Sequence, residues 1–372
     1  MQNFIHTAEF VRQRDGGVGA VFARGGGAYR DDLYHIEWTE LTSLKKLYEA
    51  WKDFSAGKLQ KRDVISFAAN VEEELLSLQQ DLFSGAYTHG PYRRFVVHDP
   101  KRREIHTSTI RDRVAHKWLY NYLLPIFDRV WLECSFSCRP NKGQHFSIQR
   151  VARAIRQATG NYTRKFWSVK CDIKKFFYHI DHNILFSLLC RRVRNPMVQE
   201  ILWKVIDSWS YPATARGIPI GNLTSQIFAN VYLHELDIFA KHHLRACQYY
   251  RYADDFVLFY ETIAEAELAV KAIGDYVLQR LHLELHPDKI IFRPCHQGVD
   301  WLGTVFVPGH SVLRPTTRRR MMRNISRRAR TADDADLLDG LLASYNGLLK
   351  NVARKSADEE IAQIVALYGG MC

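Results

Sequence analysis

No run of about eighteen apolar residues occurs in this chain, so nothing in it reads as a helix able to cross a bilayer. The opening stretch MQNFIHTAEFVRQRDGG lacks the basic-then-apolar layout of a secretory signal, and export is not expected. Cys-x-x-Cys pairs are missing too. The seven cysteines, at 134, 138, 171, 190, 247, 295 and 372, are odd in number and scattered, which argues against a disulfide framework or a zinc site. Cys134 and Cys138 have no second pair nearby and read as small core residues. A reducing cytoplasm is the expected location. No internal repeat or low-complexity tract is present. The Gly25-Gly26-Gly27 run lacks the Gly-Lys-Ser/Thr ending of a phosphate loop and reads as a flexible segment.

Acid is also scarce. Lys and Arg number 52 against 40 Asp and Glu, a net charge of +12. That surplus favours a polyanionic partner, either nucleic acid or an anionic membrane surface. The hydrophobic fraction, 47%, is that of a folded chain rather than a disordered one. Between Arg314 and Arg330 stand eight arginines and no acid. Arg319, Arg323, Arg327 and Arg330 fall on one helical face, where like charges repel unless a phosphate partner neutralises them.

Apolar spacing predicts helices through 41–83, 111–129, 223–243 and 264–281, and a basic helix from 316. Phe228, Val231, Tyr232, Leu236 and Phe239 share the apolar face of the third. Asp181 is a natural N-cap for a helix starting near Asn183. Residues 92–106 read as a hairpin turning at Asp99-Pro100. Further strands are expected at 166–173, at 248–260 broken by paired aspartates, near 290–292 and at 299–307. Helices and strands do not alternate regularly, which predicts an α+β fold with an antiparallel sheet.

Tyr252-Ala253-Asp254-Asp255 is the most informative tetrapeptide. Two acids inside an apolar, aromatic run carry a large desolvation cost unless something neutralises them. A turn or a cap explains such a pair; so does a metal site at the end of a hairpin. Asp172, ending another strand, supplies a third carboxylate. Three carboxylates on neighbouring strand ends suit two Mg²⁺ ions, with Mn²⁺ as a substitute, as polymerases and nucleases require.

The order of motifs resembles the reverse transcriptase family over roughly residues 41–350. Lys101-Arg102-Arg103 through Arg113 resembles the basic fingers segment, and Ser135-Phe136-Ser137-Cys138-Arg139-Pro140 the aromatic-x-x-Arg-Pro element. Asp172 to Phe177 resembles motif A, Gly217 to Gln226 motif B, and Tyr252 to Asp255 motif C. Leu285 to Lys289 resembles motif D, and Trp301-Leu302-Gly303 the primer grip. The resemblance implies an RNA-directed DNA polymerase shaped like a right hand. Its parts would be an N-terminal extension at 1–40, fingers at 41–165, a palm with an antiparallel sheet at 166–305 and a helical thumb at 306–372.

It also implies roles. Asp172 and Asp254 would be the main metal ligands, with Asp255 beside them and the Ile173 carbonyl as an extra ligand. Phe177 would select deoxynucleotides by blocking a 2′-hydroxyl. Lys101 and Arg103 would neutralise the incoming dNTP, with Ile220, Gly221 and Gln226 lining its site. Gly221 would let backbone approach the nascent base pair. Lys289 would be the general acid for pyrophosphate, or an ordinary exposed lysine. Arg139 would touch template phosphate or form a structural salt bridge. Trp301, Leu302 and Gly303 would contact nucleic acid, as would the four arginines of the basic helix. Tyr29, Tyr34 and Trp38 would stack on RNA bases or pack in a core.

The chain departs from many family members at Ile220-Gly221 and Ser225-Gln226, where Gln-Gly and Ser-Pro are frequent. The Ile-Gly form resembles reverse transcriptases of diversity-generating retroelements, which copy with errors opposite adenine; antiviral-defence reverse transcriptases are near relatives. Fewer than 60 residues follow the start of the basic helix. No nuclease or zinc domain is therefore expected there, unlike in group II intron mobility proteins. The expected partners are a structured non-coding template RNA, the cDNA product, dNTPs, and an accessory basic protein or a second copy of the chain. An inactive nucleic-acid-binding protein and a two-metal nuclease are the alternatives.

Overall fold

The structure, a computed structural model, describes residues 36–98, 101–212 and 214–330, together with 342, 343 and 345; the side chains of 328–330 lie outside it. Gly25 to Gly27, Tyr29, Tyr34, the Asp99-Pro100 turn and the Arg330 side chain therefore fall outside the described residues.

Leucines and aromatics spaced three and four apart build four N-terminal helices: α1 (Trp38–Leu41), α2 (Leu44–Ser55), α3 (Arg62–Ala69) and α4 (Val71–Ser84). Ser43 starts α2 by accepting from the Lys46 amide. Leu47, Trp51, Leu75, Leu78 and Leu82 face inward. Trp38 packs edge-on against Trp118 and donates to the Phe83 carbonyl, so it belongs to this core.

The expected hairpin follows as β1 (Arg93–Val97) and β2 (Arg103–Thr107), paired antiparallel. Next come α5 (Ile110–Asp128) and α6 (Gln144–Thr159), the latter absent from the sequence expectations. A four-stranded antiparallel sheet is assembled from β3 (Trp167–Asp172), β4 (Tyr249–Tyr252), β5 (Asp255–Tyr260) and β6 (Ile291–Pro294), in the order β4-β5-β3-β6. Between β3 and β4 lie α7 (Phe176–His179), α8 (His182–Cys190), α9 (Pro196–Asp207) and α10 (Leu223–Ile238). Asp181 caps α8 by accepting from Asn183 and Ile184, as its position predicts.

After α11 (Ile263–Leu281) comes a second antiparallel sheet, β7 (Val299–Trp301), β8 (Thr304–Val307) and β9 (His310–Leu313). The basic helix α12 (Pro315–Arg330) ends the described fold. The predicted α+β class with an antiparallel sheet is the one observed.

The two faces of the main sheet are covered differently. Strand alternation sends Tyr249, Arg251, Phe256 and Leu258 to one face, and Tyr250, Tyr252, Val257 and Phe259 to the other. The second set packs with Ile148, Val151 and Ile155 of α6 and with Trp301 and Phe306 of the small sheet. Of the cysteines read as core, Cys134 is buried but Cys138 is exposed, because left-handed backbone (φ 55°) turns it outward. Among the described residues no helix is long and apolar enough to cross a membrane.

Candidate active site

The ends of β3 and β5 bring the acids together. Asp172 closes β3 and Asp255 opens β5, and the two are direct cross-strand partners. Asp254 sits in the tight turn between β4 and β5, made possible by Ala253 in the left-handed region (φ 54°). Like charges facing across a strand pair destabilise a sheet. The strain shows in the Asp254 carboxyl, pushed up to about 6 by burial first and then by Asp172 and Asp255. Burial also raises Asp255, against the pull of Lys170.

Lysines hold this charge in check. Lys289 Nζ donates to Asp172 Oδ1 at 2.7 Å, and Lys170 Nζ lies 3.6 Å from Asp255 Oδ1. Lys289 is thus no ordinary surface lysine. Its segment is tied to the end of β3: the His286 amide donates to the Asp172 carbonyl and the Lys174 amide to Glu284. That bridge leaves the Ile173 carbonyl out, although the Ile173 side chain is buried. Among the described residues no three His, Cys, Asp or Glu side chains close around one point. Crowded, all-oxygen carboxylates of raised pKa nevertheless fit a hard divalent cation, which would take over the neutralising task from Lys289.

Behind the turn lies a group that sequence reasoning missed. Arg251 is fully buried, with Nη2 donating to Asp237 Oδ2 at 2.6 Å and Nε to Asp237 Oδ1 at 2.7 Å. Its Nη1 donates to Asn230 Oδ1 and to the Ala253 carbonyl, pinning the aspartate turn from the rear. Burial alone would depress this guanidinium, but Asp237 more than offsets it and the net shift is upward. An arginine three residues before an acid pair, with an Asp on the preceding amphipathic helix, was the available signal.

The loop before α10 completes the front. The Ile218 amide donates to the Phe177 carbonyl (2.8 Å) and Gly217 to Ile180 (2.6 Å), which brings Phe177 and the loop together. Phe177 is half-buried, as is Ile220, while Gln226 is exposed. The His106 amide donates to the Ile220 carbonyl, joining β2 to the loop. Gly221, at φ +125°, is expected to give room to a base pair. Instead a Cβ there would meet Ile105 Cγ2 at 2.9 Å and the His106 carbonyl at 3.1 Å, so its smallness first serves the hairpin. Lys101 and Arg103 are exposed, and neither forms an ion pair among the described residues.

Two expectations need correction. Arg139 does not present itself to a template: its side chain is 2% exposed, and its nitrogens bind Asp128 at 2.6 Å and the Leu132, Ser135 and Asp128 carbonyls. The structural salt bridge is the correct alternative. Trp301 is wholly buried and donates to Ser147 Oγ, so it supports the core rather than touching nucleic acid. Only Leu302 and Gly303 occupy the turn between β7 and β8, where a Cβ on Gly303 would press on Thr317 at 3.0 Å. Arg319, Arg323 and Arg327 do share the exposed face of α12, opposite buried Met321, Met322 and Ile325.

Comparison with known proteins agrees with this geometry. A family model described as "Reverse transcriptase (RNA-dependent DNA polymerase)" matches residues 98–306, more than half of the 372. Protein YkfC of Escherichia coli K12 is 25% identical over 297 residues, covering 69% of this chain and 76% of that protein. The group II intron-encoded protein LtrA of Lactococcus lactis is 28% identical over 220 residues, covering 56% of this chain but only 34% of LtrA. A solved apo telomerase from Candida tropicalis aligns with 60% of this chain at a TM-score of 0.42 and 13% identity.

Proposed function

This chain belongs to the reverse transcriptase family of RNA-dependent DNA polymerases, and from that premise we propose that it copies RNA into DNA at the Asp172, Asp254 and Asp255 cluster. Its mixture of helices and antiparallel sheet is the right-hand polymerase fold. In this reading the fingers span 41–165, the palm 166–305 and the thumb 306–372, after an extension at 1–40. The observation that carries the proposal is the Asp172–Asp255 cross-strand pair with the raised Asp254 carboxyl between its strands' neighbours.

Asp172 and Asp254, with Asp255 beside them, are the residues to hold two Mg²⁺ or Mn²⁺ ions; the ions, when bound, activate the primer hydroxyl and stabilise the leaving pyrophosphate. Lys289, whose Nζ donates to Asp172, is the residue assigned to give a proton to the departing pyrophosphate. Phe177 and Ile220 on adjoining segments bound the sugar and base of the dNTP, with Gln226 exposed beside them. Lys101 and Arg103 stand out from the hairpin as cations for the triphosphate. Arg319, Arg323 and Arg327 grip the duplex backbone through shape and charge.

Primer extension on an RNA template, with Mg²⁺ and labelled dNTPs, tests the enzyme claim. Asp254→Ala should reduce synthesis about a thousandfold, the scale of removing a preorganised charge partner of a transition state. Equal product from both proteins removes the claim.

The finer assignment is error-prone copying of a structured non-coding RNA in a diversity-generating retroelement, in the cytoplasm and with an accessory protein or a second copy. Reverse transcription in antiviral defence is the alternative. Ile220 supports the first, since an aliphatic side chain replaces an amide able to anchor the incoming nucleotide. Ile220→Gln should lower errors opposite adenine when products are sequenced; an unchanged error spectrum sinks the retroelement reading.

A further inference from the structure

A second basic region of the chain has no place in the catalytic scheme above. From residue 134 to residue 171 there is no Asp or Glu, against eight Lys and Arg. Three of the eight are paired with acids: Arg139 in its buried bond to Asp128, Lys142 at Glu133 and Lys170 at Asp255. Arg153 and Arg156 are not. Both are exposed on α6, three residues apart, and neither has an ion pair among the described residues.

They line a cavity of about 600 Å³ between α6 and the β8–β9 turn, together with Asn161, Tyr162 and His310. No acidic residue lines it. Tyr162 is held in place: its amide donates to Thr159 Oγ1 at 2.9 Å, while the Asn161 amide donates to the Arg156 carbonyl at 2.8 Å. The cavity lies away from the Leu302-Gly303 turn. The Leu302-Gly303 turn marks one end of β8, and the cavity is formed at the other, Phe306 to Ser311. Four strand residues put the two ends roughly 13 Å apart.

Resting on the reading that RNA is this chain's template, we propose that this cavity is a second RNA-binding site, taking one nucleotide of a structured RNA that extends outside the polymerase cleft. Its volume suits one nucleotide. Two guanidinium groups without acidic competitors match a phosphodiester, for which Arg offers a planar fork. Tyr162 supplies an aromatic surface of the kind on which unpaired RNA bases stack. Arg164 and Lys165, exposed just beyond it, continue the same acid-free surface.

Fluorescence anisotropy with two labelled probes tests the site. One probe is a stem-loop RNA much longer than the cleft; the other is a short RNA–DNA primer–template that fills the cleft alone. Arg153→Ala with Arg156→Ala should bind the stem-loop about tenfold more weakly, with the slope of log affinity against log salt reduced by about two. Binding and extension of the short duplex should stay at wild-type level. Arg319→Ala with Arg323→Ala on α12 should instead weaken both probes.

Unchanged stem-loop affinity in the α6 variant, or an equal loss on both probes, overturns the proposal. So does displacement of the stem-loop from wild type by AMP alone, which would make the cavity a free-nucleotide site. A wild type that binds no stem-loop at all overturns it too. A wild type that binds the stem-loop with the expected α6 dependence yet copies nothing refutes the polymerase reading and leaves the site standing. Because both side chains are exposed, the unfolding midpoint of the double variant should match wild type and exclude a folding artefact.

Discussion

The front and the back of the β4–β5 turn are built on opposite principles. At the front, Asp172, Asp254 and Asp255 crowd negative charge around strand ends, and the Asp254 carboxyl rises to about 6 under burial and its neighbours. At the back, Arg251 and Asp237 form a fully buried pair with every nitrogen of the guanidinium engaged. One side is frustrated and the other satisfied. The satisfied side supports the frustrated one, since Arg251 holds the carbonyl of Ala253, next to Asp254. A site that concentrates like charge needs a rigid mount, and a buried ion pair with complete hydrogen bonding provides it.

Substitutions can break this contrast. The largest functional effect should come from the front: Asp254→Ala loses synthesis about a thousandfold, yet its unfolding midpoint holds or rises, because a repelling charge is gone. A lower midpoint would mean that Asp254 is structural. The largest effect on stability should come from the back. Arg251→Met leaves Asp237 buried without a counter-charge and costs about 3–5 kcal/mol, measurable by chemical denaturation. Adding Asp237→Leu should restore most of that stability while synthesis stays low, since the Ala253 carbonyl still lacks its donor. Full recovery of synthesis would refute the mount.

A smaller effect sharpens the comparison at a third place, where two histidines are buried beside Asp112. His116 of α5 lies between His89 and Thr224, and burial, then the nearby His89, lowers its pKa to about 3. The unfolded chain takes up a proton near the ordinary value of 6.5, whereas the folded one does not until far lower pH. The stability contributed by the neutral ring is therefore complete above 6.5 and declines as pH falls from 6.5 towards 3, by at most about 1.4 kcal/mol per unit. Thermal melts below pH 6.5 should show that slope, and His116→Gln should flatten it.

Much of this was legible in the sequence. The acids stood out because they interrupt an apolar run, and Asp181 announced its helix by capping chemistry. Helix α6 and strand β9 were not expected, although Ile148, Val151, Ile155 and Ala158 fall at helical spacing and Pro308-Gly309 marks a turn. Arg139 and Trp301 misled for a different reason. Motif membership says that a residue matters, but its partners are non-local: Asp128 and backbone carbonyls for one, Ser147 for the other. Neither burial nor such pairings can be computed from spacing. Arg251 was hidden in the same way, because its meaning depends on Asp237 across the fold.

The bond from the His106 amide to the Ile220 carbonyl, with Gly221 packed against Ile105, makes β2 and the loop before α10 a single splint. A side chain at 221 would not merely intrude on a substrate; it would wedge the splint open. Because the other strand of that hairpin is tied to β2 by its ladder and the Arg94–Glu104 ion pair, tilting the hairpin pulls on the Ile220 carbonyl. If Lys101 and Arg103 grip a triphosphate as proposed, that grip and the shape of the base pocket are set by one lever.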